Sequence, residues 1–151
     1  MSEFYVSAGD KVSFSKTVSE TDVYLFAGIT GDLAPVHVNQ ALMEKSAYGQ
    51  RIAHGALIVG FMSTTSSLMV DKARDGHGKG ETPVSLGYDR VRFLGPVFFG
   101  DTITVKYRIT AIDEVRRRST ADIEVVNQRS ETVAVATHIL KWVKKTEAES
   151  S

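Results

Sequence analysis

From Gly55 to Val70 the chain runs GALIVGFMSTTSSLMV, sixteen residues without a Lys, Arg, Asp or Glu. A strand rarely exceeds about ten residues, and a bilayer-crossing helix needs roughly 20 predominantly apolar ones. Sixteen residues, five of them Ser or Thr, satisfy neither. The stretch predicts a helix buried on most sides, with Leu57, Phe61, Thr64 and Leu68 progressing along it at helical spacing. Gly60 and the Ser/Thr cluster lower its intrinsic propensity, so tertiary packing has to hold it.

A helix of that kind needs a wrapper, and the second half of the chain supplies one. Four strands are predicted, at about 83–94, 102–112, 118–128 and 132–143. In the second of these Ile103, Val105, Tyr107, Ile109 and Ala111 alternate with Thr102, Thr104, Lys106, Arg108 and Thr110, the pattern of a half-buried antiparallel strand. Gly100-Asp101 and Arg129-Ser130-Glu131 read as turns. The last strand is apolar on both faces, which predicts burial on both sides.

Before the long helix, Val12 and Phe14 alternate with Lys11, Ser13 and Ser15 in a first strand. Ser19 with Asp22 forms a variant capping box. The short helix it opens carries Val23, Phe26 and Ala27, and Gly28 is expected to end it. Residues 29–38 read as a loop, and Asn39 caps a second short helix through about Ala47. Helices followed by strands argue for an α+β chain, here a curved antiparallel β-sheet wrapped around a long central α-helix. With 151 residues and no second-domain linker, residues 1–151 are expected to form a single domain. The polar tail is expected to fray from about residue 144.

Composition narrows the chemistry. The absence of cysteine excludes disulfides, thiolate metal sites and cysteine nucleophiles. Eighteen Lys+Arg against 18 Asp+Glu give no global field to attract nucleic acid or an anionic membrane, so neither partner is expected. The start, MSEFYVSAGD, has no basic segment followed by an apolar run, and a cytoplasmic location is the expectation.

Two features carry candidate chemistry. Asp32 and His37 share one loop, as Asp-Leu-Ala-Pro-Val-His. A carboxylate beside an imidazole can manage a water's protons; the same spacing also suits a local turn bond and a packed histidine. His54-Gly55 immediately precedes the long apolar helix, where free N–H groups and the positive dipole end would favour a ligand oxygen. A glycine there lets that oxygen approach closely, or simply permits the turn.

The order of these features resembles a known family. The stretch FAGITGDLAPVHVNQALMEKSAYGQRIAHGALIVGFMS, and later FLGPVFFGDTITVKYRITAI, resemble the MaoC-like (R)-specific enoyl-CoA hydratase/dehydratase family, over roughly residues 8–143. The resemblance implies a single hot-dog fold and the (R)-specific hydration of trans-2-enoyl-CoA to (R)-3-hydroxyacyl-CoA, or its reverse. It makes Asp32 and His37 the pair that activates water, without settling which is the base. Gly55 becomes the backbone donor to the thioester oxygen, and Ser63 matches a serine near the family's active site; Ser63, Leu57 on the central helix and His54 before it are the substrate-binding candidates. It implies no cofactor, coenzyme A being part of the substrate, no metal, and a homodimer or higher homo-oligomer with the sheets joined at an edge. One departure stands out: the family loop usually has Asn before the proline, where this chain has Ala34. A hot-dog thioesterase and a non-catalytic acyl-CoA-binding module remain as rivals.

Other polar features read as structural. His77 lies in DGHGKG, which lacks the spacing of a phosphate loop. His138 alternates with apolar neighbours and is expected in the core. Arg116-Arg117-Arg118 reads as a solvated strand end, with contact to CoA phosphates as the alternative; Arg90 and Arg92 are equally open.

Overall fold

The computed structural model describes residues 4–73 and 80–146. Five strands form one antiparallel sheet: β1 (Lys11–Thr17), β2 (Glu81–Phe93), β3 (Thr102–Asp113), β4 (Arg118–Val126) and β5 (Thr132–Lys144), in the order β1-β3-β4-β5-β2. The sheet stays open, with β1 and β2 at its edges. Four helices, α1 (Glu20–Thr30), α2 (Pro35–Val38), α3 (Gln40–Met43) and α4 (Gly55–Lys72), fall between β1 and β2 in the chain. The α4 helix packs across one face of the sheet, chiefly over β1 and β3. This is the hot-dog arrangement.

The alternation in β3 has the expected consequence, since Ile103, Val105, Tyr107 and Ile109 are all buried. It breaks at Ala111, which is exposed. A register shift between Ile109 and Ala111 inserts an unpaired residue, and a bulge reverses the faces beyond it. Two further shifts bend β2, after Ser85 and after Asp89. In the second, Arg90 takes a left-handed φ of 53°.

Several expectations need correction. Gly28 does not end α1: the helix continues to Thr30 and stops at Gly31, whose φ is 82° and whose N–H reaches the Ala27 carbonyl. The capping box of Ser19 and Asp22 is present. Residues 29–38 are not all loop, because Pro35 opens the short α2, a position where its missing N–H costs nothing. Asn39 does cap α3, accepting from the Leu42 N–H, but that helix ends at Met43 rather than near Ala47.

The buried face of α4 lies one residue on from the expected one. Ile58, Met62, Thr65, Ser66, Met69 and Val70 are buried, whereas Leu57, Phe61 and Thr64 are half-buried and Leu68 is exposed. The sheet covers only one side of the helix, so Ala56, Gly60, Ser63 and Ser67 face outward. For the same reason β5 is not buried on both faces. Ala136, His138, Leu140 and Trp142 are buried, while Val135, Thr137, Ile139 and Lys141 are only half-covered.

His138 is a core histidine, as expected. Its Nδ1 meets the Tyr107 hydroxyl at 2.8 Å and its Nε2 meets Ser85 Oγ at 2.7 Å. Burial pushes its pKa down to about 4, so the ring is neutral, one nitrogen donating and the other accepting. Arg117 departs from the solvated-end reading. It adopts a left-handed φ of 57° and clamps the buried Glu81 carboxylate through Nε at 3.0 Å and Nη2 at 2.7 Å. That guanidinium holds the Glu81 carboxyl below its usual range. Tyr5 donates to the same carboxylate and stacks on Trp142, tying the N-terminal segment to the far end of the sheet. The DGHGKG connection, apart from Gly80, and its His77 lie outside the described residues.

Candidate active site

The segment from Gly31 to Gly55 brings three polar side chains together at the N-terminus of α4. A carboxylate oxygen of Asp32, a nitrogen of His37 and a nitrogen of His54 all lie within 4.8 Å of one another. Asp32 is exposed, His37 half-buried and His54 only 2 % exposed.

Two backbone carbonyls decide the state of the imidazoles. His37 Nδ1 lies 2.8 Å from the Ile52 carbonyl oxygen. A carbonyl only accepts, so Nδ1 carries a proton, and in the neutral ring Nε2 holds the lone pair. His54 Nε2 lies 2.9 Å from the Asp32 carbonyl oxygen and by the same argument is the protonated nitrogen. The two rings stack, centroids 3.6 Å apart and planes at 25°, with Phe26 against His54 on another side.

The surrounding loop is held by Arg51. Its guanidinium donates to Glu20 at 2.8 Å, to Gln40 at 3.0 Å and to the Tyr24 hydroxyl, and it lies over the Phe99 ring. Helices α1 and α3 are thereby pinned to the strand-like approach to α4. Pro35 begins α2 directly after Ala34, and Ala34 supplies no side-chain cap.

A cleft of about 360 Å³ opens beside the cluster, with His37, Gly55, Ile58, Phe93, Val97 and Val133 among its lining residues. Its lining residues are mostly apolar, as is usual for a small-molecule site. As the first residue of α4, Gly55 has an N–H with no carbonyl one turn back to receive it. The arrangement offers a base with a free lone pair, a neighbouring carboxylate and a backbone donor around one apolar slot. Such a set can add water to, or remove it from, a bond conjugated with a carbonyl.

The structure thus brings together Asp32, His37, His54 and Gly55 from the sequence-predicted residues. Leu57 is half-buried against the core, and the cleft is lined by its neighbour Ile58 instead. Ser63 faces outward two turns along α4. His54, expected to bind substrate, is buried beneath the other two. Sequence reasoning missed Phe93, Val97 and Val133 as walls and Ile52 as the group that fixes the His37 tautomer. The Phe-Leu-Gly-Pro-Val segment was a visible signal for the first two; a backbone carbonyl leaves none.

Comparison with known proteins decides the family, because a model described as "MaoC like domain" matches residues 4–132. The chain belongs to the MaoC-like family. An (R)-specific enoyl-CoA hydratase of Rhodospirillum rubrum is 35% identical over 107 residues, 71% of this chain and 68% of that protein. A solved structure, the (R)-hydratase of Aeromonas caviae involved in PHA biosynthesis, superposes with a TM-score of 0.77 at 26% identity, covering 90% of this chain and 96% of that one. A monoamine oxidase regulatory protein from Archaeoglobus superposes with a TM-score of 0.79 at 29% identity, covering 95% of both chains. Within this MaoC-like chain, no described helix is long and apolar enough to cross a membrane.

Proposed function

We propose that this MaoC-like chain is a hydratase/dehydratase that adds water to trans-2-enoyl-CoA thioesters, giving (R)-3-hydroxyacyl-CoA, and that it catalyses the reverse elimination. The observation that carries this reading is the grouping of His37, whose Nδ1 is engaged by the Ile52 carbonyl, with the Asp32 carboxylate, beside a largely apolar cleft that His37 lines. The relatives named as (R)-specific hydratases support it.

In this mechanism the Gly55 N–H and the positive end of α4 draw electron density toward the thioester oxygen. Asp32 and His37 hold one water against the β-carbon. As the water oxygen bonds to that carbon, the pair removes one proton from it and returns one proton to the α-carbon. Both transfers occur on the face where the pair stands, so addition is syn and the enzyme ends in its starting protonation state. The acyl chain lies along Ile58, Phe93, Val97 and Val133. No step of this proposed mechanism calls for a cofactor or metal. The working unit in this proposal is a cytoplasmic homodimer, which would pair one of the open sheet edges.

The test is to mix purified protein with trans-2-enoyl-CoAs of several chain lengths and follow the conjugated enoyl-thioester absorbance and free thiol together. Loss of absorbance without thiol release is expected. Thiol release identifies a thioesterase instead, and binding without turnover identifies an acyl-CoA-binding module.

A further inference from the structure

We propose that His54 is a positioning residue for the Asp32 carboxylate, acting through the Asp32 main chain and the face of His37 and never touching substrate. The inference rests on the hydration reading above.

Asp32 sits on an exposed loop, and its local hydrogen bonds are long. Its N–H reaches Thr30 Oγ1 at 3.2 Å, its Oδ1 accepts from the Ala34 N–H at 3.3 Å, and the Leu33 N–H reaches the Gly31 carbonyl at 3.1 Å. All of these join residues within two positions, so they shape the loop without attaching it to anything. Among the described residues, the hydrogen bond given between Asp32 and a distant part of the chain is that from His54 Nε2–H, at 2.9 Å across 22 residues. The main chain that carries the carboxylate is therefore attached beyond its own loop through this bond. A misplacement of about 1 Å can cost roughly 10² in rate.

The ring that makes the bond is itself immobile. It is 2 % exposed, stacked on His37 at 3.6 Å and packed against Phe26 at 4.8 Å. Its other nitrogen, Nδ1, is buried without a hydrogen-bond partner. An unpaired buried nitrogen is unfavourable, and an apolar ring would fill the same space without that cost. What the imidazole adds is the Nε2–H directed at Asp32, together with a flat face that sets the plane of His37. Its place as the N-cap of α4 ties both functions to the start of that helix.

The experiment compares His54→Phe, which keeps a ring face but loses the donor, with His54→Gln, whose amide N–H can reach the same carbonyl. In His54→Phe, kcat is expected to fall about 10- to 100-fold while KM stays within about threefold, and His54→Gln is expected to recover part of the loss. In an Asp32→Asn background, His54→Phe is expected to cost less than about twofold more, because the residue it positions is already disabled. An unchanged kcat in a folded His54→Phe protein, or the same fold loss in both backgrounds, overturns the proposal. Long-range proton–nitrogen spectra of the parent should place the His54 proton on Nε2, and backbone relaxation of residues 31–34 should show faster motion in His54→Phe. A proton on Nδ1, or an unchanged loop, also overturns it. These spectra need no substrate, so they separate failure of this proposal from failure of the hydratase reading.

Discussion

The ring of Phe93 occupies the space where any side chain at Gly55 would begin: a Cβ there would stand 2.5 Å from Phe93 Cε2 and 2.6 Å from Cζ. Glycine is favoured at this point by that contact and not by backbone conformation, since the residue's φ is not in the left-handed region. The Phe93 ring in turn is a wall of the cleft, so the start of α4 and the cleft beside it are shaped by the same pair.

Gly55→Ala is therefore expected to push Phe93 outward. Phe93 is 54% exposed and can swing, which keeps the stability cost near the lower end of overpacking, about 1 kcal/mol. Denaturant unfolding should show that loss, and adding Phe93→Ala in the same chain should remove it. A Gly55→Ala protein as stable as the parent argues against the contact.

Asp32→Asn should leave the fold intact, because Asp32 is exposed and Asn Oδ1 can still accept from the Ala34 N–H. Hydration of enoyl-CoA is expected to drop by about 10²–10⁴. Circular dichroism beside the absorbance assay separates lost chemistry from lost structure.

Ala34→Asn should stabilise the chain. Ala34 is the N-cap of α2 with extended backbone (φ −56°, ψ 140°) and no capping side chain. Asparagine at such a position typically contributes about 0.5–2 kcal/mol over alanine. A rise in the unfolding midpoint of this size, with substrate preference compared before and after, checks it.

Stability should fall as pH drops from about 6.5 to about 4 and then level off with respect to His138. The folded ring is held at about 4 by burial against an ordinary value of 6.5; in that interval the unfolded chain binds a proton the folded one refuses. The full effect is on the order of 3 kcal/mol. Glu81, held low by Arg117, adds a separate loss as the pH falls below its ordinary 4.5. Urea unfolding from pH 7 to pH 4 measures the first window, and His138→Gln should flatten it.

The sequence exposed those parts of the fold that depend on local pattern. Ser19 with Asp22, Asn39, Gly100-Asp101 and the β3 alternation as far as Ile109 act within a few residues, and each appears where it was expected. The phase of α4 was not legible, because its mixed surface of Ser, Thr and small residues gives no strong apolar stripe. Ile58 and Met62 are buried only because β1 and β3 lie on that side. The bulge at Thr110 was invisible for a similar reason, being a register choice between two strands.

The sequence by itself determined that this is an α+β MaoC-like chain and put Asp32, His37 and Gly55 forward as its candidate groups, since motif order and residue type survive without coordinates. Tertiary structure decided what each group can do. It set the His37 tautomer through the Ile52 carbonyl, buried His54 under the pair it was expected to join at the substrate, and made Phe93 the reason for Gly55. Those outcomes rest on backbone atoms and on contacts across 15 to 38 residues, from His37–Ile52 to Gly55–Phe93, which no local pattern encodes.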